Sequence, residues 1–210
     1  YFIDIYQVKG LIVSGPGPTK EEFVNKEYLE YRLQNNIIAT IDASYSGAEG
    51  IREAFSKCSD ILSNFRMVEE KKIIEKLFQE INTNSGLGSY GLKEVIEMLK
   101  NNIAGMVIIS DNINTSRIEK TCKRCSHVEE DLIEQGKRIA RKTEMKSQPC
   151  SECKAMDSEM TDQDLIDYIA LIASQTGTKV EVVSGRTEHG VMLGSLGNIA
   201  AILRYNPNRS

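Results

Sequence analysis

The stretch LKEVIEMLKNNIAGMVII, residues 92–109, determines the fold class of this chain. In its first part, apolar side chains including Val95 and Leu99 fall on one face of a helix, which predicts a helix over 92–99. The continuous apolar run at 106–109 then predicts a strand that is buried on both faces. A helix followed closely by a buried strand is typical of an α/β domain whose helices cover both faces of a parallel or mixed sheet.

The same alternation extends along most of the chain. Thr19 followed by Glu22 predicts the start of a helix, and Thr161 followed by Asp164 predicts another start, for a helix over 161–174. We expect two further helices, over 47–65 and 68–81, to form one long helix that joins two domains. The remaining predicted elements are a loop over 82–91, a helix over 191–196, and strands over 9–14, 37–41, 179–183 and 200–205.

The segment 117–157 interrupts this alternation and shows little helical or strand periodicity. It contains two C-x-x-C pairs, separated by 24 residues. Two such turns can supply four thiolates to one tetrahedral ion, and Zn²⁺ is bound by such a set in structural sites. We therefore predict a structural zinc site that orders this segment. Its ligands would be Cys122, Cys125, Cys150 and Cys153.

Other interpretations of these cysteines are a redox pair or free thiols. His127 is close enough to compete as a ligand, although four cysteines already fill a tetrahedral shell. Lys123 and Arg124 would help to offset the negative charge of a tetrathiolate site. The remaining cysteine, Cys58, lies on the apolar face of a predicted helix, and we expect it in a core.

The charge of the chain restricts its possible partners. The formal net charge of −4 argues against a protein that binds nucleic acid over its whole surface. The segment 117–157 differs, because it carries 10 Lys and Arg against 8 Asp and Glu. Four of its basic residues, here called the basic set, have helical spacing, which indicates either a solvated surface or a contact with the phosphate backbone of RNA. They are Lys137, Arg138, Arg141 and Lys142.

No apolar run approaches the roughly 20 residues of a membrane helix, and no secretory signal is visible. Cysteines arranged as a metal site rather than as disulfides fit a cytoplasmic protein. We therefore expect a cytoplasmic location and no membrane partner. The chain opens at Tyr1 without an initiator Met, so we also expect it to be part of a longer protein.

The sequence contains no readable catalytic site. The glycine loop that ends in Thr19-Lys20 differs from a phosphate-binding loop, because Pro16 and Pro18 lack the N–H groups that would hold phosphate oxygens. We expect a rigid structural turn there. His189 lies in a polar stretch that we expect to open a helix, and no nucleophile and base form a recognisable set. We therefore predict that this chain alone is not an enzyme.

Several stretches together resemble the archaeal and eukaryotic class-1 peptide chain release factors. The paired cysteines match the insert of the archaeal branch, and the likeness covers nearly the whole chain. The stretches are KGLIVSGPGPTK at 9–20, IDASYSG at 41–47, GIREA at 50–54, EEKKI at 69–73, FQEI at 78–81 and GNIAAILRY at 197–205.

This resemblance implies a domain organisation. Residues 1–46 would be the rear part of an α/β middle domain, and 47–84 a helical connection. Residues 85–210 would form an α/β sandwich C-terminal domain, with a zinc-ribbon-like minidomain inserted at about 117–157. The family triggers peptidyl-tRNA hydrolysis through a Gly-Gly-Gln loop of the middle domain and reads stop codons with an N-terminal domain. Neither is found in this sequence.

The resemblance also implies partners. In the family, the C-terminal domain docks a translational GTPase and faces a recycling ATPase on the ribosome. The region 197–205 is associated with GTPase docking. Within it we expect Ile199, Ile202 and Leu203 to be sheet core. We expect Arg204 and Tyr205 to be contact residues, because their polar ends can reach the surface.

Two alternative functions fit the same pattern. Ribosome rescue factors of the pelota type share the architecture and have a very similar last strand. The glycine-proline turn and the cysteine insert favour the release factor. An RNA-binding module that uses the zinc insert is the other alternative.

Overall fold

The computed structural model describes residues 10–26, 28–83 and 85–207. The chain is a mixed α/β protein that divides into two compact units, Tyr1–Glu69 and Glu70–Ser210. The domain boundaries expected at residues 46 and 84 stay a prediction. Within the described ranges, no helix is both long and apolar enough to cross a membrane.

The first unit contains a pair of parallel strands with helices packed against it. Its elements are β1 (Leu11–Gly15), α1 (Thr19–Asn25), α2 (Tyr31–Gln34), β2 (Ile37–Asp42), α3 (Gly47–Lys57) and the beginning of α4 (Ser59–Asn82). β1 and β2 pair in parallel, which confirms both predicted strands, although Lys9 lies outside the described residues. A small core contains Ile41, Ala54 and Cys58, so the core position expected for Cys58 is confirmed.

Two helix predictions for this unit are wrong in detail. Thr19 is the first residue of α1, not its N-cap, and no side-chain cap hydrogen bond forms at Pro18, the N-cap residue. The proline ring already holds φ at −77°, so the helix starts without a side-chain cap. The expected long helix is also interrupted, because the backbone leaves helical geometry at Cys58 between α3 and α4. The Cys58 side chain is buried in the core at this turn.

The second unit contains two sheets. The first has the strand order β3-β9-β4-β8, in which β4 pairs in parallel with β8 and antiparallel with β9. The second has the order β6-β5-β7 and is antiparallel throughout. The elements are β3 (Gly88–Tyr90), α5 (Leu92–Lys100), β4 (Ala104–Ser110), β5 (Thr115–Cys122), β6 (Val128–Glu134), α6 (Arg138–Ser147), β7 (Ser158–Asp164), α7 (Leu165–Thr176), β8 (Lys179–Val183), α8 (Glu188–Gly194) and β9 (Ile199–Leu203).

Helices cover both faces of the four-stranded sheet. Val107 and Ile109 of β4 pack in the same cluster as side chains of α5 and α7. Ile108 points to the opposite face, where Leu77 of α4 and Leu193 of α8 pack. Both faces of the central strands are therefore apolar, which explains the continuous apolar run that predicted β4.

The segment 117–157 is more regular than its sequence indicated. It supplies β5, β6 and α6, and β7 completes its sheet, so the prediction of little regular structure is wrong. The helix expected to start at Thr161 begins instead at Leu165, because residues up to Asp164 pair with β5. Asp164 is itself the N-cap, and its side chain accepts a hydrogen bond from the Ile166 N–H.

Two smaller differences concern a loop and the start of the last helix. The loop expected over 82–91 contains the short strand β3, which pairs with β9. The last helix begins at Glu188, three residues before its predicted start, because the Thr187 hydroxyl caps it by accepting from the Gly190 N–H. The polar stretch around His189 therefore opens this helix, as the sequence indicated.

Candidate metal centre

Two tight turns in the second unit carry the four predicted ligands. The first knuckle, residues 122–125, follows β5, and the second knuckle, residues 150–153, lies between α6 and β7. The Ser126 N–H donates to the carbonyl oxygen of Cys122 at 2.9 Å, and the Lys154 N–H donates to that of Cys150 at 3.0 Å. Each knuckle is thus closed by the same backbone hydrogen bond.

The residues next to the two knuckles also share the same hydrogen bonds and backbone angles. The N–H of the first cysteine in each knuckle donates to the carbonyl oxygen five residues later, which belongs to His127 or to Ala155, both at 2.9 Å. Ser126 and Lys154 occupy the same position after their knuckles and both have left-handed backbone, with φ of 58° and 60°. Two knuckles far apart in sequence therefore share one conformation.

The four sulfur atoms converge. All lie within 4.8 Å of one another. The Sγ atoms of Cys122 and Cys153 are 3.5 Å apart, and those of Cys125 and Cys150 are 3.7 Å apart. For a metal–sulfur bond of about 2.3 Å, the sulfurs of a regular tetrahedron lie about 3.8 Å apart. The spacing and the thiolate chemistry therefore fit a tetrahedral metal ion.

The surroundings of the thiols give Cys122 and Cys125 very different pKa values. Backbone N–H groups of Cys125 and Arg124 point at the Cys122 sulfur and lower its pKa to about 6. The His127 N–H lowers the pKa of Cys125, but desolvation and the neighbouring thiols outweigh it and raise that pKa to about 12. The backbone N–H groups of the first knuckle therefore favour a thiolate at Cys122. The neighbouring thiols oppose a second negative charge at Cys125 unless a cation is present.

The position of the two knuckles in the fold argues against the alternative of a redox pair. A redox C-x-x-C typically lies in a thioredoxin-like βαβ context. Here the first knuckle connects two antiparallel strands, and the second connects a helix to a strand of the same antiparallel sheet. Within the part of the chain that the structure describes, these four cysteines form the group of metal-binding side chains that can meet at one ion.

Sequence reasoning missed two residues that hold the second knuckle. Lys120 of β5 is only 2% exposed, and its ammonium donates to the carbonyl oxygen of Gln148 at 2.9 Å. It also forms an ion pair at 3.3 Å with Glu129 of β6. The Glu129 carboxylate accepts from the Ser151 N–H at 2.9 Å. Hydrogen bonding by the Ser151 side chain and by its N–H, together with Lys120, lowers the pKa of Glu129 to about 2.

The basic set is paired with carboxylates. Lys137 contacts Glu134 at 2.8 Å, and Arg141 contacts Asp131 at 2.7 Å. The other two members, Arg138 and Lys142, both contact Asp162. Much of the positive charge is thus neutralised locally, and RNA contact by the basic set stays a prediction.

The end of β9 places the two predicted contact residues outside the sheet. Ile199, Ile202 and Leu203 are buried, which confirms them as sheet core. The Arg204 guanidinium donates to the Asn102 side chain at 2.7 Å and to the carbonyl oxygen of Thr176 at 2.8 Å. Tyr205 is 54% exposed. Partner binding by Arg204 and Tyr205 stays a prediction.

In the glycine loop of the first unit, Lys20 forms contacts within the protein. The Lys20 side chain is buried, donates to the carbonyl oxygen of Gly17 at 2.7 Å, and forms an ion pair with Asp42. This ammonium is therefore committed to holding the turn against the end of β2, which agrees with the expected structural turn.

Comparison with known proteins matches almost the whole chain to one family. Residues 1–64 match the family model of eRF1 domain 2, and residues 67–207 match that of eRF1 domain 3. Peptide chain release factor subunit 1 of Methanobrevibacter smithii is 37% identical over 98% of this chain and 49% of the relative. The relative of the same name in Thermococcus sibiricus is 34% identical over 95% of this chain and 48% of the relative.

Solved structures show the same fold. The C-terminal domain of a peptide chain release factor from Methanosarcina mazei aligns with a TM-score of 0.64 and 23% identity, covering 78% of this chain and 99% of that domain. Dom34 of S. cerevisiae aligns with a TM-score of 0.51 and 16% identity, covering 97% of this chain and 49% of Dom34. The chain spans about half the length of the curated relatives it matches. With both of its units matched, the chain belongs to the eRF1 family of peptide chain release factors.

Proposed function

We propose that this chain serves translation termination as the non-catalytic C-terminal part of a class-1 release factor. The observation that carries the proposal is the match of both units to consecutive eRF1 domains, together with curated relatives named as release factor subunit 1. On this account the ribosome is its site of action, and the protein works in the cytoplasm. It directs release of the nascent peptide in concert with the other half of the factor.

Within this function, the end of β9 docks a translational GTPase. Tyr205 supports this role because its large side chain is mostly exposed beside a fully buried strand. Arg204 supports it because two hydrogen bonds hold its guanidinium in a fixed position, so binding a partner would cost little side-chain entropy. A recycling ATPase is a further partner. One structural neighbour is a model of ribosome-bound archaeal Pelota and ABCE1.

The metal in this proposal is structural zinc. Four protein thiolates would complete the tetrahedral shell, which leaves no position for a reacting water. The ion would join the two knuckles and so close the end of the three-stranded sheet. Its role is to order the insert, and it supplies no step of the reaction.

A chimaera tests the proposed function directly. The N-terminal half of the Methanobrevibacter smithii relative, joined to this chain in place of its own C-terminal half, should release peptide at stop codons in a reconstituted archaeal system. Release that equals that of the N-terminal half alone would contradict the proposal. A chain that is inactive in this chimaera, but supports ribosome rescue when it is joined to the N-terminal half of a pelota-type factor, would instead favour the rescue-factor alternative. The Dom34 match at 16% identity shows the fold and does not support that alternative further.

Matched tyrosine variants test GTPase docking. Tyr205→Ala should weaken binding of the chain to an archaeal translational GTPase in a low-salt pull-down, while Tyr45→Ala should not. Tyr45 is a suitable control because it is 61% exposed, close to the 54% of Tyr205, and belongs to the first unit rather than to the region 197–205. Equal effects of the two substitutions would contradict docking at the end of β9.

A further inference from the structure

We propose that Lys120 and Glu129 are positioning residues of the metal centre, which hold the second knuckle at binding distance from the first. The inference rests on the metal site of the proposed function. Four thiolates can bind one ion only if the two turns, which are distant in sequence, are kept at a fixed spacing. The two knuckles are held in place by different contacts.

The first knuckle is fixed by its own strands. It connects β5 directly to β6, and these strands pair along their whole length, from Thr115 opposite Glu134 to Thr121 opposite Val128. The second knuckle has no such support on its N-terminal side, because α6 ends at Ser147 and an irregular segment leads to Cys150. On its C-terminal side, β7 pairs with β5 from Ser158 onward.

Lys120 holds the irregular segment that leads to Cys150. Its three ammonium protons face three acceptors: the carbonyl oxygen of Gln148 at 2.9 Å, that of Pro149 at 3.5 Å, and the Glu129 carboxylate at 3.3 Å. Lys120 lies two residues before Cys122 on the buried face of β5. Strand β5 therefore carries both a metal ligand and the group that positions the opposite knuckle.

Glu129 holds the other side of Cys150. One carboxylate oxygen accepts from the Ser151 N–H at 2.9 Å, and the other faces the Lys120 ammonium. The two side chains thus fix the backbone immediately before and immediately after Cys150. A buried ammonium is costly without such partners, so the pair is expected to act as one unit.

The four cysteine ligands are therefore positioned before the metal ion binds. Without the pair, part of the binding free energy would be consumed in ordering the segment that leads to Cys150. Groups that orient metal ligands typically change affinity by about 10- to 100-fold when they are removed. The number and type of ligands would be unchanged, so affinity should change while the coordination geometry stays the same.

The experiment titrates the metal-free 210-residue chain with Zn²⁺ and Co²⁺ against a competing chelator. Lys120→Met and Glu129→Leu should each lower the zinc affinity by about 10- to 100-fold, while the cobalt spectrum keeps its thiolate charge-transfer and tetrahedral bands. The double variant should lose about as much as one single variant, because both residues belong to one unit. If Lys120→Met does not fold, as judged by circular dichroism, Glu129→Leu provides the test.

Lys146→Met is the matched control. Lys146 is an exposed residue of α6 and lies outside both knuckles. It therefore tests whether the loss of any positive charge near the second knuckle weakens binding, and we expect its loss to change the zinc affinity by less than about fivefold. Equal losses for Lys146→Met and Lys120→Met would overturn the positioning role, and so would unchanged affinity in Lys120→Met and Glu129→Leu. A wild-type chain that binds no metal would overturn the proposed metal site itself.

Discussion

Asp164 connects the three-stranded sheet to α7, and replacing it tests where that helix begins. One carboxylate oxygen accepts from the Ile166 N–H at 2.8 Å, and the other accepts from the Gln135 side chain at 2.9 Å. Loss of an N-cap costs about 1–2 kcal/mol, and an exposed hydrogen bond contributes about 0.5 kcal/mol. Asp164→Ala should therefore lower the free energy of unfolding of the second unit by about 2 kcal/mol.

Urea unfolding followed by circular dichroism measures this loss, which corresponds to a midpoint shift of about 1 M for a typical urea dependence. Asp164→Asn should recover most of it, because Asn caps helices as well as Asp does, while the charge and the oxygen that accepts from Gln135 are lost. Thr161→Val, which removes a hydroxyl from β7 but keeps the branched shape, should cost less than about 0.5 kcal/mol. A larger loss for Thr161→Val than for Asp164→Ala would refute the assignment of Asp164 as the cap.

Three further outcomes are expected. Hydrogen bonding and charge from Lys20 hold the pKa of Asp42 below its ordinary 3.8, so the stability this pair adds is present above that pH and is lost as the pH falls through the lower folded pKa. Asp42→Asn should flatten the dependence of the first unit's urea midpoint between pH 5 and pH 2, and an unchanged profile would count against the pair. Leu77→Ala, at a fully buried site, should cost about 2–5 kcal/mol in thermal or urea unfolding, while the half-exposed Leu171→Ala should cost below about 1 kcal/mol. Replacing the basic set by Gln should lower the salt slope of RNA binding by less than about 1, because carboxylates already neutralise it; a drop of about 3 would support direct phosphate contacts.

Three strands of the four-stranded sheet, β4, β8 and β9, could be predicted because their apolar pattern is strong, whereas β3 falls in the expected loop. The apolar run in β4 and the one-sided apolar face of α5 arise from burial in a large core, and large cores impose clear periodicity. The cysteine spacing was equally informative, because the two knuckles need little beyond C-x-x-C to form. The break at Cys58 was not visible, because the apolar spacing continues across it and the turn depends on tertiary packing.

The three-stranded sheet was missed because few apolar residues are buried in it. Along β5 the inward positions are Ser116, Ile118, Lys120 and Cys122, so one large apolar side chain marks the buried face. The alternation is present, but a lysine stands where an apolar residue would be expected. Pairing with Glu129 and with backbone carbonyls makes that burial possible, and these partners come from other elements. The signal available in the sequence was the alternation along β5, with Lys120 at an inward position.

The most direct test of the metal centre is the metal content of the freshly purified 210-residue chain, measured together with its resistance to protease. We predict about one zinc per chain, and loss of both the metal and the protease resistance of residues 117–157 in Cys122→Ser. A wild-type chain without bound metal, whose insert is as resistant as that of Cys122→Ser, would contradict the proposed metal centre.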